Sequence, residues 1–397
     1  MSFTCSSLRF LFITFSVLSA FNSNATSLFS DYEGNGLTYS TADNQYSVQI
    51  RGRAQFRFAS PGAGQPNDIG DFIAESGNQF DINRARLKVG GHAVREWVKY
   101  YWEYDAADSR TLNATIALEK YDGLKVKFGQ WKVEYSRERS VSSGGQQMMD
   151  RSIINRVFTL DRQQGMSVYG HIDEGGAANF NYWTALLTGS GRGEYHNHDG
   201  NPMYAGRFQW NFLGKETGFK NSDIKRTSEP AAAVAVAGAK YRSIYTRFSS
   251  SGPGALDNID IGETPDQYDV KQYLVDGAFF YQGFNAQGEY HEKEVTDRIN
   301  GNRQTTLRGY YVQAGYFLNE QLTWWPAPLE VAARYATYDP KTGDDGDRFY
   351  ERTLAFNWFI NGHNNKVTAE VSDISMEQQS EEVGDRITWR LQWDVSF

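Results

Sequence analysis

The last eleven residues alternate without a break: Ile387, Trp389, Leu391, Trp393, Val395 and Phe397 interleave with Thr388, Arg390, Gln392, Asp394 and Ser396. Successive side chains of a strand point to opposite faces, so this segment has one apolar, aromatic face and one polar face. A strand of that kind, ending a chain on Phe, suits the closing strand of an outer-membrane β-barrel with lipid outside and water inside. The same period recurs upstream. In 45–58, Tyr46, Val48, Ile50, Ala54, Phe56 and Phe58 oppose Ser47, Gln49, Arg51, Arg53, Gln55 and Arg57. Next, Ala85, Leu87 and Val89 alternate with Arg84, Arg86 and Lys88, while Phe80 and Ile82 fall on the other parity, which predicts a bulge near Asn83.

Alternation continues through 98–105, 112–118, 124–128, 166–172, 180–188, 204–212, 234–248, 273–281, 284–290, 310–318, 329–335, 354–360 and 367–371. With the last strand these make sixteen, so the chain is read as all-β: a transmembrane antiparallel barrel wide enough for an aqueous channel. Two segments interrupt the rhythm. The insertion at 132–163 is rich in charge, Ser and Gly, and is long enough to fold inward and narrow a pore. Residues 211–230, with Lys215, Lys220, Lys225 and Arg226, read as an exposed loop, and 257–266 as an acidic one.

The start of the chain fits an exported protein. Arg9 precedes an apolar run at 10–21, and Ser23 and Ala25 suit a signal-peptidase site, so residues 1–25 read as a cleaved leader. Residues 26–44 carry no assignable pattern, and the barrel occupies 45–397. Cys5 lies in the leader, which leaves the mature chain without disulfides or thiolate metal sites. No other apolar stretch approaches the ~18 residues of a membrane-spanning helix, so spanning would have to use strands. The 10 Trp, 24 Tyr and 25 Phe suit interfacial girdles.

A net charge of −8 conceals a split: residues 45–162 carry +4, and 163–397 carry −10. Arg51, Arg53, Arg57, Arg84, Arg86, Lys88, Lys99, Lys125 and Lys127 all fall on the polar parity, among carboxylates such as Glu103, Asp105 and Glu119. Basic residues lining a pore favour anions, and Arg holds phosphate oxygens in a bidentate fork. Arg51, Arg53, Arg57, Arg84, Arg86, Lys88, Lys99 and Asp105 are therefore expected along the pore wall, with Lys127 near its constriction.

Five stretches resemble the phosphate-selective porin O and P family: FDINRARLKVGG (80–91), FGQWKVEYSRERSVSS (128–143), GFNAQGEY (283–290), YYVQAGYFL (310–318) and TLAFNWFINGHNNK (353–366). The resemblance, running from about residue 45 to the end, implies a trimeric sixteen-stranded porin. Its long inward loop would form an anion-binding constriction beneath an arginine ladder. By position it places Arg139 and Arg151 in that constriction and Arg84 and Arg86 in the ladder. Where the family has paired arginines before Ala85, this chain has Asn83 and Arg84.

The expected partners are outer-membrane lipid, small anions such as phosphate and two further copies of the chain, with no cofactor and no metal. The bland alternative has Arg139 and Arg151 paired with Glu138 and Asp150, merely bracing the loop. Enzymatic activity is not expected, because the six histidines form no recognisable pairing with Ser or Asp. His196 and His198, at i, i+2 in a Gly/Asn-rich loop, read as solvated rather than metal-binding. A non-conducting adhesin or receptor barrel is the other alternative, and the acidic mature chain argues against nucleic acid.

Overall fold

The computed structural model describes residues 28–31, 36–62, 65, 72, 77–194, 200–256, 259–343, 348–378 and 381–397. The leader, His196 and His198 lie outside them. Sixteen strands close one antiparallel barrel: β1 Ser47–Ser60, β2 Gln79–Ala93, β3 Arg95–Asp105, β4 Arg110–Tyr121, β5 Leu124–Lys132, β6 Arg162–Asp173, β7 Asn179–Leu187 and β8 Met203–Trp210 form one half. The other half is β9 Ala231–Ser243, β10 Tyr268–Tyr281, β11 Phe284–Asp297, β12 Arg303–Tyr316, β13 Leu329–Asp339, β14 Arg348–Asn361, β15 Asn365–Gln378 and β16 Glu381–Ser396. Each strand pairs with the next in sequence, and β16 returns to β1 with Trp389 opposite Ser60 and Ser396 opposite Arg53.

The bulge lies where the parity switch places it. Gln55 faces Arg84 and Phe56 faces Ile82, so Asn83 is skipped in the ladder. That extra residue puts Phe80 and Ile82, 77% and 55% exposed, on the same outer face as Leu87. One end of the barrel has tight turns such as Gln282–Gly283, whose φ values of 46° and 82° suit a two-residue hairpin. The other end carries most of the longer connections, 211–230 and 317–328 being the exceptions at the turn end. At the seam, Gly52 and Phe397 exchange backbone hydrogen bonds of 2.6 and 3.0 Å. A Cβ on Gly52 would lie 2.3 Å from the Phe397 ring, so only glycine lets the last residue close there.

Several elements differ from the sequence reading. β12 and β16 begin well before 310 and 387, because polar residues near the loop end stay hydrogen-bonded in the ladder after the apolar alternation has stopped. β9 ends at Ser243, and Arg247–Ser249 instead pairs with Gly252–Gly254 as a small ribbon in the following loop. The segment left unassigned contributes Gly36–Ser40, which takes the β1 edge below β16, with Leu28–Asp31 paired beyond it.

The interior is divided. Residues 133–161 fold into the lumen, with short helices α1 Arg137–Ser140 and α2 Ile154–Phe158. Tyr135, Ile154, Val157, Phe158 and Leu160 pack against inward residues of β9 to β14, among them Tyr241, Val270, Leu274, Leu307, Tyr311 and Tyr338. The second half therefore carries apolar side chains inward as well, because a protein segment rather than water covers them. Residues 211–230, expected as an exposed loop, turn into the barrel from the opposite end. Arg137 Nη1 donates to the Gly218 carbonyl at 2.7 Å, and the Gln147 N–H donates to Asn221 Oδ1 at 3.3 Å. Thr217, Asn221, Ser222 and Asp223 are buried, while Lys215 and Lys225 remain exposed.

The outward aromatic and aliphatic face of β16 generates a test. Leu391→Arg, at a position 51% exposed to the surroundings of the barrel, should destabilise the folded protein by about 2–4 kcal/mol in a bilayer if it lies near the midplane. Reversible denaturant unfolding from vesicles measures this, and an unchanged midpoint contradicts the assignment of that face to lipid.

Candidate functional site: a basic passage between the inner loop and strands β1 to β6

The passage starts from an unfavourable arrangement in the ladder. Arg51 stands directly opposite Lys88, Arg53 opposite Arg86, and Lys132 opposite Arg162. Like charges facing one another across a strand pair destabilise a sheet. The cost is removed in two different ways, and the difference defines the site.

Some of the cations are neutralised. Arg53 Nη2 meets Asp394 at 2.7 Å, and both side chains are almost fully buried. Arg57 holds Asp150 with Nη1 at 2.9 Å and Nη2 at 3.0 Å, which clamps the tip of the inner loop across the seam. Arg86 meets Glu103 and Asp105, each at 3.1 Å. Arg139 pairs with Asp161 through Nε at 2.7 Å, not with Glu138. Burial raises the Asp161 carboxyl, but Arg139 and Arg162 overcome it and hold the group down at about 2. Asp150 is likewise raised by burial, yet Arg57 and Arg390 keep it well below the ordinary carboxylate range.

Three others rest on neutral acceptors. Lys132 Nζ donates to the carbonyls of Arg139, Ser140 and Val141 at 3.0, 3.0 and 3.1 Å. Arg151 donates to the carbonyls of Glu138 at 3.1 Å and Val141 at 2.9 Å, not to Asp150. Arg84 Nη1 donates to Gln55 Oε1 at 2.6 Å. Lys88 lines the same space with no carboxylate in ion-pair range among the described residues. A carbonyl orients a cation without cancelling it. Burial, then the charges of Arg139 and Arg84, push the Arg151 guanidinium well below its ordinary pKa, and Glu138 and Asp161 oppose this only in part.

Two chambers follow one another along this wall. The loop-end chamber, about 400 Å³, brings together Arg84, Arg86, Lys88, Asp105, Arg139 and Arg151 from the sequence-derived set. It also contains Lys132, Arg162 and Arg192, which the sequence reading left out. The first two bracket the insertion at 132 and 162, so the end of alternation marked them. Arg192 carried no such signal. The turn-end chamber, about 630 Å³, contains Arg51, Lys99 and Lys127. Lys127 therefore stands apart from Arg139 and Arg151, paired with Glu134 at 2.7 Å, and Lys99 is paired with Glu119 at 3.0 Å. Tyr101 lines both chambers. Arg53 and Arg57 line neither and serve as ties to Asp394 and Asp150.

The acidic second half faces elsewhere. Glu351 accepts the Ile153 N–H at 2.9 Å, Glu370 accepts the Met149 N–H at 2.7 Å, and Glu289 accepts the Glu138 N–H. Glu330 accepts from Gln147 Nε2 at 2.7 Å. These carboxylates bond the rear of the inner loop to β11, β13, β14 and β15 and do not line either chamber. One histidine also departs from expectation. Ser47 and His92 are register partners, with Oγ 2.8 Å from Nδ1, but Nε2 meets the Asn44 carbonyl rather than a carboxylate.

Residues 63–395 match the family described as phosphate-selective porin O and P. The chain belongs to that family. Porin O of Pseudomonas aeruginosa is 22% identical over 420 residues, covering 90% of each chain. The fold is shared with OmpT, an outer membrane protein of Vibrio cholerae, at TM-score 0.57 and 12% identity, over 94% of this chain and 100% of that one. It is shared equally with the outer membrane channel DcaP of Acinetobacter baumannii, at TM-score 0.56 and 12% identity, over 94% and 100%. The protein is thus an outer-membrane porin of a Gram-negative bacterium, a barrel giving small solutes a water-filled path. In this porin the turn end is periplasmic and the loop end extracellular.

The inner loop of this porin should depend on its rear carboxylates. Glu351→Ala removes the acceptor of the Ile153 N–H and the partner of buried Arg334, whose Nε lies 2.7 Å away. Removing the nearer partner of a buried ion pair costs about 3–5 kcal/mol. The expected outcome is faster proteolysis within 133–161 and a larger, noisier single-channel conductance. Wild-type cleavage and conductance contradict the tethering role.

Proposed function

We propose that this porin is an anion-preferring channel whose extracellular-side chamber binds phosphate-class oxyanions in transit. The observation that carries the reading is that Arg84, Lys88, Lys132 and Arg151 surround one chamber, with Arg84, Lys132 and Arg151 donating to neutral oxygens and Lys88 meeting no carboxylate in ion-pair range among the described residues. Lys132 spends all three ammonium protons on carbonyls, so it acts on a passing ion through its field. Arg84 and Arg151 keep guanidinium N–H groups without an acceptor among the described residues, and these replace part of an anion's hydration with charge-assisted hydrogen bonds. Arg139 and Arg86, already paired, position the loop and wall around them. Arg51, Lys99 and Lys127 then pass the anion through the wider periplasmic chamber, where carboxylates offset most of the charge and allow release.

The family description supports phosphate as the anion class. A trimer form is recorded for Vibrio cholerae OmpT, with which this chain shares the fold at TM-score 0.53 and 12% identity. We take the functional unit here to be a homotrimer of three separate pores. The chain acts as a channel and not as an enzyme. The Ser47–His92 contact supports no hydrolytic centre, because its outer nitrogen is held by a carbonyl rather than by an orienting carboxylate.

Planar-bilayer recordings test this. Reversal potentials in a KCl gradient should show chloride more permeant than potassium, and added phosphate should reduce chloride conductance. One charge-assisted bond is worth about 1.5–3 kcal/mol, which is about ten- to hundredfold in affinity. Arg84→Met and Arg151→Met should weaken phosphate block by that factor, and Lys132→Met should lower the permeability ratio. Lys125→Met, on the same parity but tied to Asp122 at the periplasmic turn, should change neither. Unchanged block and permeability in the first three variants refute the assignment.

A further inference from the structure

The outer wall of the barrel carries a depression that the protein's own packing does not explain. Gly206 of β8 and Gly238 of β9 stand directly opposite one another, and Gly238 in turn faces Tyr273 of β10. Neither glycine has a positive φ. A Cβ on Gly206 would meet nothing nearer than the Trp183 carbonyl at 3.9 Å, and one on Gly238 nothing nearer than the Tyr273 ring at 3.5 Å. Glycine inside a strand is less stable than alanine, and here neither turn geometry nor close backbone approach requires it. The two missing side chains open a groove of about 600 Å³ walled by Val168, Leu186, Tyr204 and Tyr273.

A cationic row lies across the extracellular end of this groove. Tyr204, Lys240 and Lys271 are consecutive register partners on β8, β9 and β10. The two lysines share the outward parity of exposed Val234, Val236, Tyr273 and Val275. Lys271 meets Glu294 at 3.3 Å, with both side chains substantially exposed. Lys240 is exposed and has no carboxylate in ion-pair range among the described residues. Arg242, one step closer to the loops, holds Asp269 only loosely at 3.7 Å. Tyr204 and Tyr273, 59% and 58% exposed, mark the depth at which aromatic girdles meet lipid headgroups. Two lysines facing each other there repel, and charge placed at a bilayer boundary is retained where an anionic headgroup compensates it.

We propose that this groove binds one lipopolysaccharide molecule of the outer leaflet, Lys240 and Lys271 holding a lipid A phosphate and the glycine-floored depression taking an acyl chain. The charge of the row and its place at the extracellular end of the strands select a phosphorylated outer-leaflet lipid. The glycines provide the room for a chain that a smooth barrel wall lacks. This site is on the outside of the wall and independent of the anion reading of the lumen.

The test uses the full-length protein in mild detergent, titrated with diphosphoryl lipid A, dephosphorylated lipid A and phosphatidylglycerol, with bound lipid counted by native mass spectrometry. One diphosphoryl lipid A per chain is expected, with dephosphorylated lipid A and phosphatidylglycerol at least about tenfold weaker. Lys240→Ala combined with Lys271→Ala should weaken lipid A about tenfold or more. Gly238→Leu, which keeps every charge but fills the groove, should do the same. Channel conductance should be unchanged in both, showing an intact barrel. The proposal is overturned if both variants bind lipid A like wild type or if phosphatidylglycerol competes equally. It is also overturned if the lysine variant changes subunit stoichiometry while lipid A binding persists, since the face would then be a contact between copies.

Discussion

A polypeptide that crosses the interior of a barrel must find partners for its own backbone, and in this porin the carboxylates of the second-half wall supply them. Glu289, Glu351 and Glu370 accept N–H groups of the inner loop, while the apolar side chains around Val157 and Phe158 sit on a matching patch of the wall. Buried N–H groups left without acceptors would each cost about 1–3 kcal/mol. The passage is narrow because this loop stays where it is, and the loop stays because these acceptors are spent on it.

That arrangement also decides the electrostatics. The sequence has an acidic second half, which summed over the chain opposes an anion pathway. In three dimensions most of those buried carboxylates are behind the loop, paired with Arg137, Arg334 and Arg390 or with backbone, and the passage sees the other wall. Charge in a pore acts locally, since field falls with distance and is screened by counter-ions over about 10 Å. Net charge is therefore a poor guide to selectivity here, and the identity of each cation's acceptor is a better one. Lys132 and Arg151 are held by carbonyls beside the loop-end chamber, whereas Arg53 is offset by the carboxylate of Asp394.

The barrel was legible because its signal is local. Alternation every two residues located all sixteen strands, and the parity change at Phe80 and Ile82 located the Asn83 bulge within one ladder. Strand ends were less legible, since polar residues of β12 and β16 are held by ladder hydrogen bonds that leave no hydrophobic trace. The inward fold of 211–230 was hidden for another reason: its buried positions are Thr, Asn, Ser and Asp, residue types that look solvated until Arg137 and Glu330 are seen beside them.

Residue order alone specified a lipid-facing surface, a strand count and a wall rich in arginine, because each follows from neighbours two positions apart. It did not specify which arginines are paired with carboxylates. Arg53 is neutralised by a residue at the other end of the chain, Asp394, and Arg151 escapes its sequence neighbour Asp150 because Arg57 and Arg390 take that carboxylate. Ion pairing is a through-space competition over a few ångströms, and only closure of the barrel around the inner loop brought the competitors together.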